Sequence, residues 1–232
     1  MPNKIIITQS NYIPWKGYFT TMKKATHIVL YDNAQYTRRD WRNRNKIVPP
    51  AGPAWLSIPI DVKGKYHQKI NEAKVKDREW YLEHWNKISQ NYKKAPFFAQ
   101  YSEIFEDLYL NKLKEHEYLS DINRILLQKC IDLLGINITV LDSRDFEIRG
   151  GKTGKLINIC QDLQADEYFT GPAAKGYMEE EMFEENNIKL TYYDLEGFPE
   201  YKQLWDGFDH YVSILDMFFN LGDKTVDHFN WR

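Results

Sequence analysis

The chain has 232 residues and a formal net charge of −2, from 31 Lys+Arg against 33 Asp+Glu. That length suits one large domain or two small ones, and a chain burying ~70% of its unfolded surface needs neither disulfide nor metal to fold. Near-neutral charge argues against a general nucleic-acid binder, and two cysteines outside any CxxC fit a reduced, cytoplasmic protein.

The opening MPNKIIITQSNYIPW holds a three-residue apolar run, too short for a signal peptide or an anchor, and no stretch nears the ~18 apolar residues of a membrane span. Lys4 to Thr8 is β-branched and apolar, the pattern of a buried strand. Ser10-Asn11 and Pro14 break it, and helical spacing follows from Gly17 to Lys24. Thr26 to Tyr31 reads as a second strand ended by Asp32-Asn33, which makes a βαβ unit and hence a parallel sheet. Residues 33–53 are polar and Pro-rich, so a long functional loop is expected. Trp55 to Ile60 and Ile70 to Val75 read as short strands. Helical periodicity then runs from Glu79 to Asn91, Phe97 to Leu110 and Leu119 to Leu134; Ser120 or Asp121 is placed to cap the last and Gly135 to stop it. Strands at Ile138–Leu141, Glu167–Thr170 and Lys189–Tyr193 alternate with helices at Lys155–Leu163 and Glu179–Glu185, and a Ser-capped, Gly-stopped helix spans Ser213 to Gly222. The expected fold is α/β: a three-layer, Rossmann-like, mainly parallel sheet with an all-helical insertion in the middle. Residues 1–76 would form the N-terminal βαβ half, 77–134 the insertion, and 135–232 the half that completes the domain.

In such sheets ligands bind beyond the carboxyl ends of the strands. The loop Gln9-Ser10-Asn11-Tyr12-Ile13-Pro14-Trp15-Lys16-Gly17 leads from the first strand into a helix, whose free N–H groups suit a phosphate or carboxylate. Gly17 would let backbone approach a ligand. A packed Pro-containing turn is the alternative. Between Gln35 and Lys46 lie Arg38, Arg39, Arg42 and Arg44 with Trp41 and Asn43, forks for phosphate beside a ring that stacks. A solvated basic loop is the alternative there. Ser143 and Gly150-Gly151-Lys152-Thr153-Gly154-Lys155 offer a third anion site, although the spacing is not that of a P-loop and Thr153 also suits a helix cap. Gly171, at the end of the Glu167–Thr170 strand, would line the same crevice. The six histidines are scattered, so no metal site is expected, and no GxGxxG follows the first strand.

Gln9-x-Asn11-Tyr12-x-Pro14-Trp15-x-Gly17-Tyr18-Phe19 resembles the opening of the WbqC-like family. Asp32, Gln35, Trp41-x-Asn43-Arg44, Trp55-Leu56-Ser57-Ile58-Pro59, Tyr168-Phe169-Thr170-Gly171, Ser213-Ile214-Leu215-Asp216 and Asn220-x-Gly222 extend the resemblance over nearly the whole chain, with Ser10 where the family usually has Pro. The resemblance implies work in bacterial surface-polysaccharide (O-antigen, lipopolysaccharide) biosynthesis. It points to a transferase or ligase that attaches an acyl or aminoacyl group to a nucleotide-linked amino sugar. A non-catalytic sugar-nucleotide-binding or scaffolding protein of that pathway is the alternative. Gln9 to Tyr18 also resembles the nucleotidylyltransferase motif G-[ST]-F-D-x-x-H-x-G-H, with Trp15 and Tyr18 replacing both histidines. In the enzyme reading Lys16 and Asp32 are the catalytic pair, Asp32 as general base. Gln9, Asn11, Tyr12, Trp15, Gly17, Gln35, Arg38, Arg39, Trp41, Asn43, Arg44, Ser143, Thr153, Lys155 and Gly171 are the binding set. ATP is the candidate co-substrate, the cofactor is left open, and an aminoacyl-tRNA donor is the one nucleic-acid partner considered.

Overall fold

The computed structural model describes residues 2–229. Strands β1 (Lys4–Thr8), β2 (His27–Leu30), β5 (Thr139–Asp142), β6 (Glu167–Thr170) and β7 (Lys189–Tyr192) form one sheet in the order β5-β2-β1-β6-β7. Every pairing in it is parallel; Ile6, for example, faces Ile28 on one side and Phe169 on the other. A parallel sheet is covered on both faces, which is why its strands read as near-continuous apolar runs. Ile6, Ile28 and Leu30 face helices α1 (Lys16–Met22), α4 (Leu119–Leu133) and α7 (Ile214–Leu221), in one core that also holds Phe19, Leu126 and Phe218. Ile5, Ile7 and Val29 face α5 (Lys152–Asp162) and α6 (Glu180–Glu185) through Ile157, Cys160 and Phe183. The result is a three-layer, Rossmann-like α/β fold.

The middle of the chain is helical as expected, with α2 (Trp80–Tyr92), α3 (Phe98–Asp107) and α4. It shares a core with the first and last segments: Phe97 N–H donates to Phe219 O at 3.0 Å, tying the start of α3 to α7. Gly135 (φ +61°) stops α4 while the Ile136 N–H returns to Ile131 O, the left-handed turn that a glycine at this position permits.

Several local expectations are corrected. The polar stretch 33–53 contains strand β3 (Arg44–Ile47), which pairs antiparallel with β4 (Ala54–Ser57) in a separate two-stranded sheet. Its alternation was hidden because the inward residue Asn45 is polar and gives its amide to Tyr12 O and Ile13 O at 3.1 and 2.6 Å. Ile70–Glu72 is a 3₁₀ turn instead of a strand, because Lys74 and Val75 make only single bridges, to Tyr118 and Ile60. Helix α5 starts at Lys152, three residues before the expected Lys155, and its N-cap is Gly151, so Thr153 lies inside the helix. Ser120 does not cap α4, and Ser213 makes no side-chain cap on α7.

Candidate functional site

Counted along the chain, the parallel sheet runs third-second-first-fourth-fifth, so the connections leave β1 toward opposite edges. That reversal opens a crevice beyond the carboxyl ends of β1 and β6. A cavity of about 950 Å³ lies there. Thr8 ends β1 and Gln9 follows it, Thr170 ends β6 and Gly171 follows it, and Asn33 and Gln35 come from the segment after β2; all six line it. Tyr31, Tyr168, Tyr177 and Tyr193 add aromatic walls, and Lys152 and Lys155 enter from the first turn of α5.

The electrostatics of this crevice have one sign. Arg42, Lys152 and Lys155 line it, and no Asp or Glu does. Among the described residues neither lysine has an ion-pair partner. Helix α5 has no side-chain N-cap, because Gly151 occupies that position. Its first-turn N–H groups therefore add their partial positive charge to that of the lysines. Arg42 is held rigidly: Nη1 donates to Asn11 Oδ1 and to Ser10 O at 3.4 Å, and Nε lies 3.8 Å from Asp40. Tyr177, which also lines the crevice, is 53% exposed.

The predicted site residues are divided by the fold. Gln9, Gln35, Lys155 and Gly171 line the crevice, and Asn11 acts on it through Arg42. A Cβ on Gly171 would stand 3.2 Å from the Tyr193 hydroxyl, a tight contact that the glycine avoids. Tyr12 is fully buried; its hydroxyl bonds His84 Nδ1 at 2.7 Å and the Tyr109 hydroxyl at 2.6 Å. Burial lowers His84 to about 4, so the ring is neutral and this trio is a satisfied core network. Gly17 gives room to a side chain instead of a ligand, since a Cβ there would fall 2.3 Å from the Trp15 ring. Trp15 itself packs against Phe198 and Tyr211.

Apart from Gln35 and Arg42, the basic loop stays out of the crevice lining. Arg38 and Arg39 are exposed, and Arg38 reaches only Val62 O. Trp41 lies against Trp55, with the Arg44 guanidinium 4.0 Å from the Trp55 ring centre. Asn43 is buried and donates to Ile58 O at 2.8 Å. Thr153 accepts from the Glu179 N–H, and Ser143 is buried beyond β5.

Asp32 is 2% exposed and both its oxygens are occupied. Ser10 N–H donates to Oδ1 at 2.8 Å and the Ser120 hydroxyl to Oδ2 at 2.6 Å. Burial raises its carboxyl above the usual range while these donors oppose the rise. The geometry is that of a tether joining the loop after β1 to α4.

Lys16 is 3% exposed and is not among the residues that line the crevice. Its ammonium lies 2.9 Å from His210 Nδ1 and 3.3 Å from Pro199 O, with the rings of Phe198, Tyr201 and Phe208 within 5.4 Å. Burial lowers it to about 8, against attraction from Asp216 and Glu200. Between pH 8 and its ordinary 10.5 the unfolded chain retains a proton that the folded chain has lost. Folding is therefore favoured as pH rises through that window. In urea melts of wild type and Lys16→Met, the wild type is expected to gain on the variant from pH 8 to pH 10. A pH-independent difference would show that the ammonium is not confined.

Tyr177 and Tyr193 are lining residues to which no sequence pattern points, while Arg42 and Lys152 lie within the two basic stretches read as anion sites. Lys152 carried the clearest signal, directly after Gly150-Gly151 at a helix start. Among the described residues no helix is long and apolar enough to cross a membrane, and no three His, Cys, Asp or Glu side chains gather as a metal site.

A model of the WbqC-like protein family matches residues 9–228. A protein of Mycobacterium tuberculosis (strain ATCC 25618 / H37Rv), described as uncharacterized protein Rv1507c, is 42% identical over 228 residues, spanning 98% of each chain. No solved structure matches significantly.

Proposed function

The chain belongs to the WbqC-like protein family, and from that premise we propose that it binds a nucleotide-linked amino sugar and transfers an acyl or aminoacyl group to it in surface-polysaccharide biosynthesis. One observation carries the binding half: a crevice at the sheet's switch point with two lysines that have no ion-pair partner among the described residues, an uncapped helix start, tyrosine walls and no lining carboxylate. Phosphates belong with that charge and a base with those rings. In the transfer half the sugar amine is itself the nucleophile: its nitrogen bonds the acyl carbon as the C–S bond of a thioester, or the C–O bond of an acyl-adenylate or aminoacyl ester, breaks, the thiol, AMP or tRNA departs, and the amine proton passes to water. The protein's task is to orient the amine and to stabilise the oxyanion that forms at the acyl carbon. ATP is the co-substrate if the acyl group arrives as a free acid. A cytoplasmic location, where nucleotide sugars are made, belongs to the same proposal.

A second reading, a sugar-nucleotide-binding subunit without turnover, is favoured by the burial of Asp32 and Lys16 in protein contacts. Purified protein incubated with UDP- and dTDP-linked amino sugars, ATP and glycine, or an acyl thioester, separates the two. Mass spectrometry is expected to find an acylated nucleotide sugar. Tight binding with no product from any donor would move the conclusion to the second reading, and absence of binding would overturn both.

A further inference from the structure

A second cavity, of about 840 Å³, lies beside the crevice. Its walls come from the loop at residues 64–68, the 3₁₀ turn after it, Tyr118 at the start of α4, and Arg144 after β5. The two cavities share one partition. Asn33 and Gln35 line the crevice; across the partition Gln35 Nε2 donates to Tyr66 O at 2.9 Å, and Asn71 Nδ2 to Asn33 Oδ1 at 2.6 Å. Tyr66 and Asn71 line the second cavity.

Their charge balance differs. In the second cavity each cation faces a carboxylate: Lys65 with Asp61 at 2.6 Å, Lys74 with Glu117 at 3.4 Å, and Arg144 with Asp142 at 2.7 Å. Its one lining carboxylate, Glu72, accepts from the Lys69 N–H. With its three cations paired and Glu72 left over, the second cavity offers no free cation to phosphate, whereas among the described residues the crevice lysines have no ion-pair partner. What the second cavity does present is the Tyr66 ring, 74% exposed, with His67, Gln68, Asn71 and Tyr118 around it. An open aromatic face among neutral hydrogen-bonding side chains suits a ligand with an apolar C–H face and an equatorial rim of hydroxyls.

We infer that this second cavity is a carbohydrate site for a pyranose ring seated on Tyr66, and that in a nucleotide-linked ligand the phosphates lie in the crevice while the sugar crosses the Asn33–Gln35 partition. The inference rests on the reading of the crevice as a nucleotide site only for that second clause. A pyranose has two sources, the sugar of the nucleotide sugar or a separate saccharide, and the test separates them.

Wild type, Tyr66→Ala and the double variant Lys152→Ala/Lys155→Ala are titrated by calorimetry with UDP, dTDP, UDP-N-acetylglucosamine and a dTDP-linked aminohexose. Free N-acetylglucosamine is titrated with UDP present, its binding followed by backbone amide shifts. Tyr66 is exposed, so its truncation leaves the fold intact, which the unchanged UDP affinity of the variant would verify. Tyr66→Ala is expected to weaken at least one sugar nucleotide about tenfold and leave its bare nucleotide unchanged. Loss of free saccharide shifts in Tyr66→Ala, with sugar nucleotides unaffected, would support the site and assign it to a separate saccharide. If neither kind of saccharide depends on Tyr66, the inference is overturned, while loss of UDP binding in the double lysine variant would still uphold the crevice. Should UDP itself fail to bind wild type, the crevice reading falls and the free-saccharide arm alone decides the second cavity.

Discussion

Replacing Lys152 and Lys155 together with alanine is expected to weaken nucleotide binding about a hundredfold, measured by calorimetry with the nucleotide sugar that binds wild type best. A hydrogen bond to a charged group contributes about 1.5 kcal/mol or more, and about 1.4 kcal/mol is a factor of ten. Two such contacts to a diphosphate give that product. The lysines stand one turn apart at the start of α5, facing a cavity with no lining carboxylate. Since neither is ion-paired among the described residues, their removal leaves no protein charge unanswered, so the fold is unaffected. Raising salt should reduce the wild-type affinity and the difference together. Wild-type affinity in the double variant would mean that the anion sits elsewhere, with the exposed Arg38 and Arg39 the next place to look.

Gly222→Ala should destabilise the protein by about 3 kcal/mol, lowering the melting temperature by about 6–12 °C. Two independent effects combine there. Gly222 ends α7 at φ +60° and ψ −136°, a region that side chains rarely enter. An added Cβ would also stand 2.5 Å from the Phe97 ring. That ring cannot retreat freely, since the Phe97 N–H is fixed to Phe219 O and the next ring, Phe98, lies tilted against Phe219 with centroids 5.1 Å apart. A melting temperature within 2 °C of wild type would show that the joint between α3 and α7 yields easily.

The elements that stand out in the sequence are those whose buried residues are apolar. Ile5-Ile6-Ile7 and Ile28-Val29-Leu30 read directly as strands because both faces of a parallel sheet are covered. Strand β3 did not, because Asn45 takes a core position by hydrogen bonding to backbone carbonyls. The same physics governs the site. Asp32 and Lys16 are charged residues next to strand or helix ends, which is where catalytic groups occur. Their partners, Ser120 and His210, lie 88 and 194 residues away, and no local pattern reports them. Gln9 and Gly171 were legible through the rule that ligands gather at strand ends. Lys152 was legible as part of the Gly150–Lys155 stretch at a helix start, although α5 begins three residues earlier than expected, whereas Tyr193 has nothing local to mark it.

The central strand of the sheet has a consequence for synthesis. β1 completes its pairing only when β6 arrives, Ile5 meeting Tyr168, and its covering core is closed by α7 near the other end of the chain. A ribosome adding ~5–20 residues per second needs about 10–30 s to supply the missing strand after the first has emerged. Through that interval Ile5, Ile6 and Ile7 have an open strand edge, the kind of template on which nascent chains stick to one another. Such long-range closure also makes for slow folding. Expression at reduced temperature or with added chaperones should therefore raise the yield of folded protein more than any change at its surface.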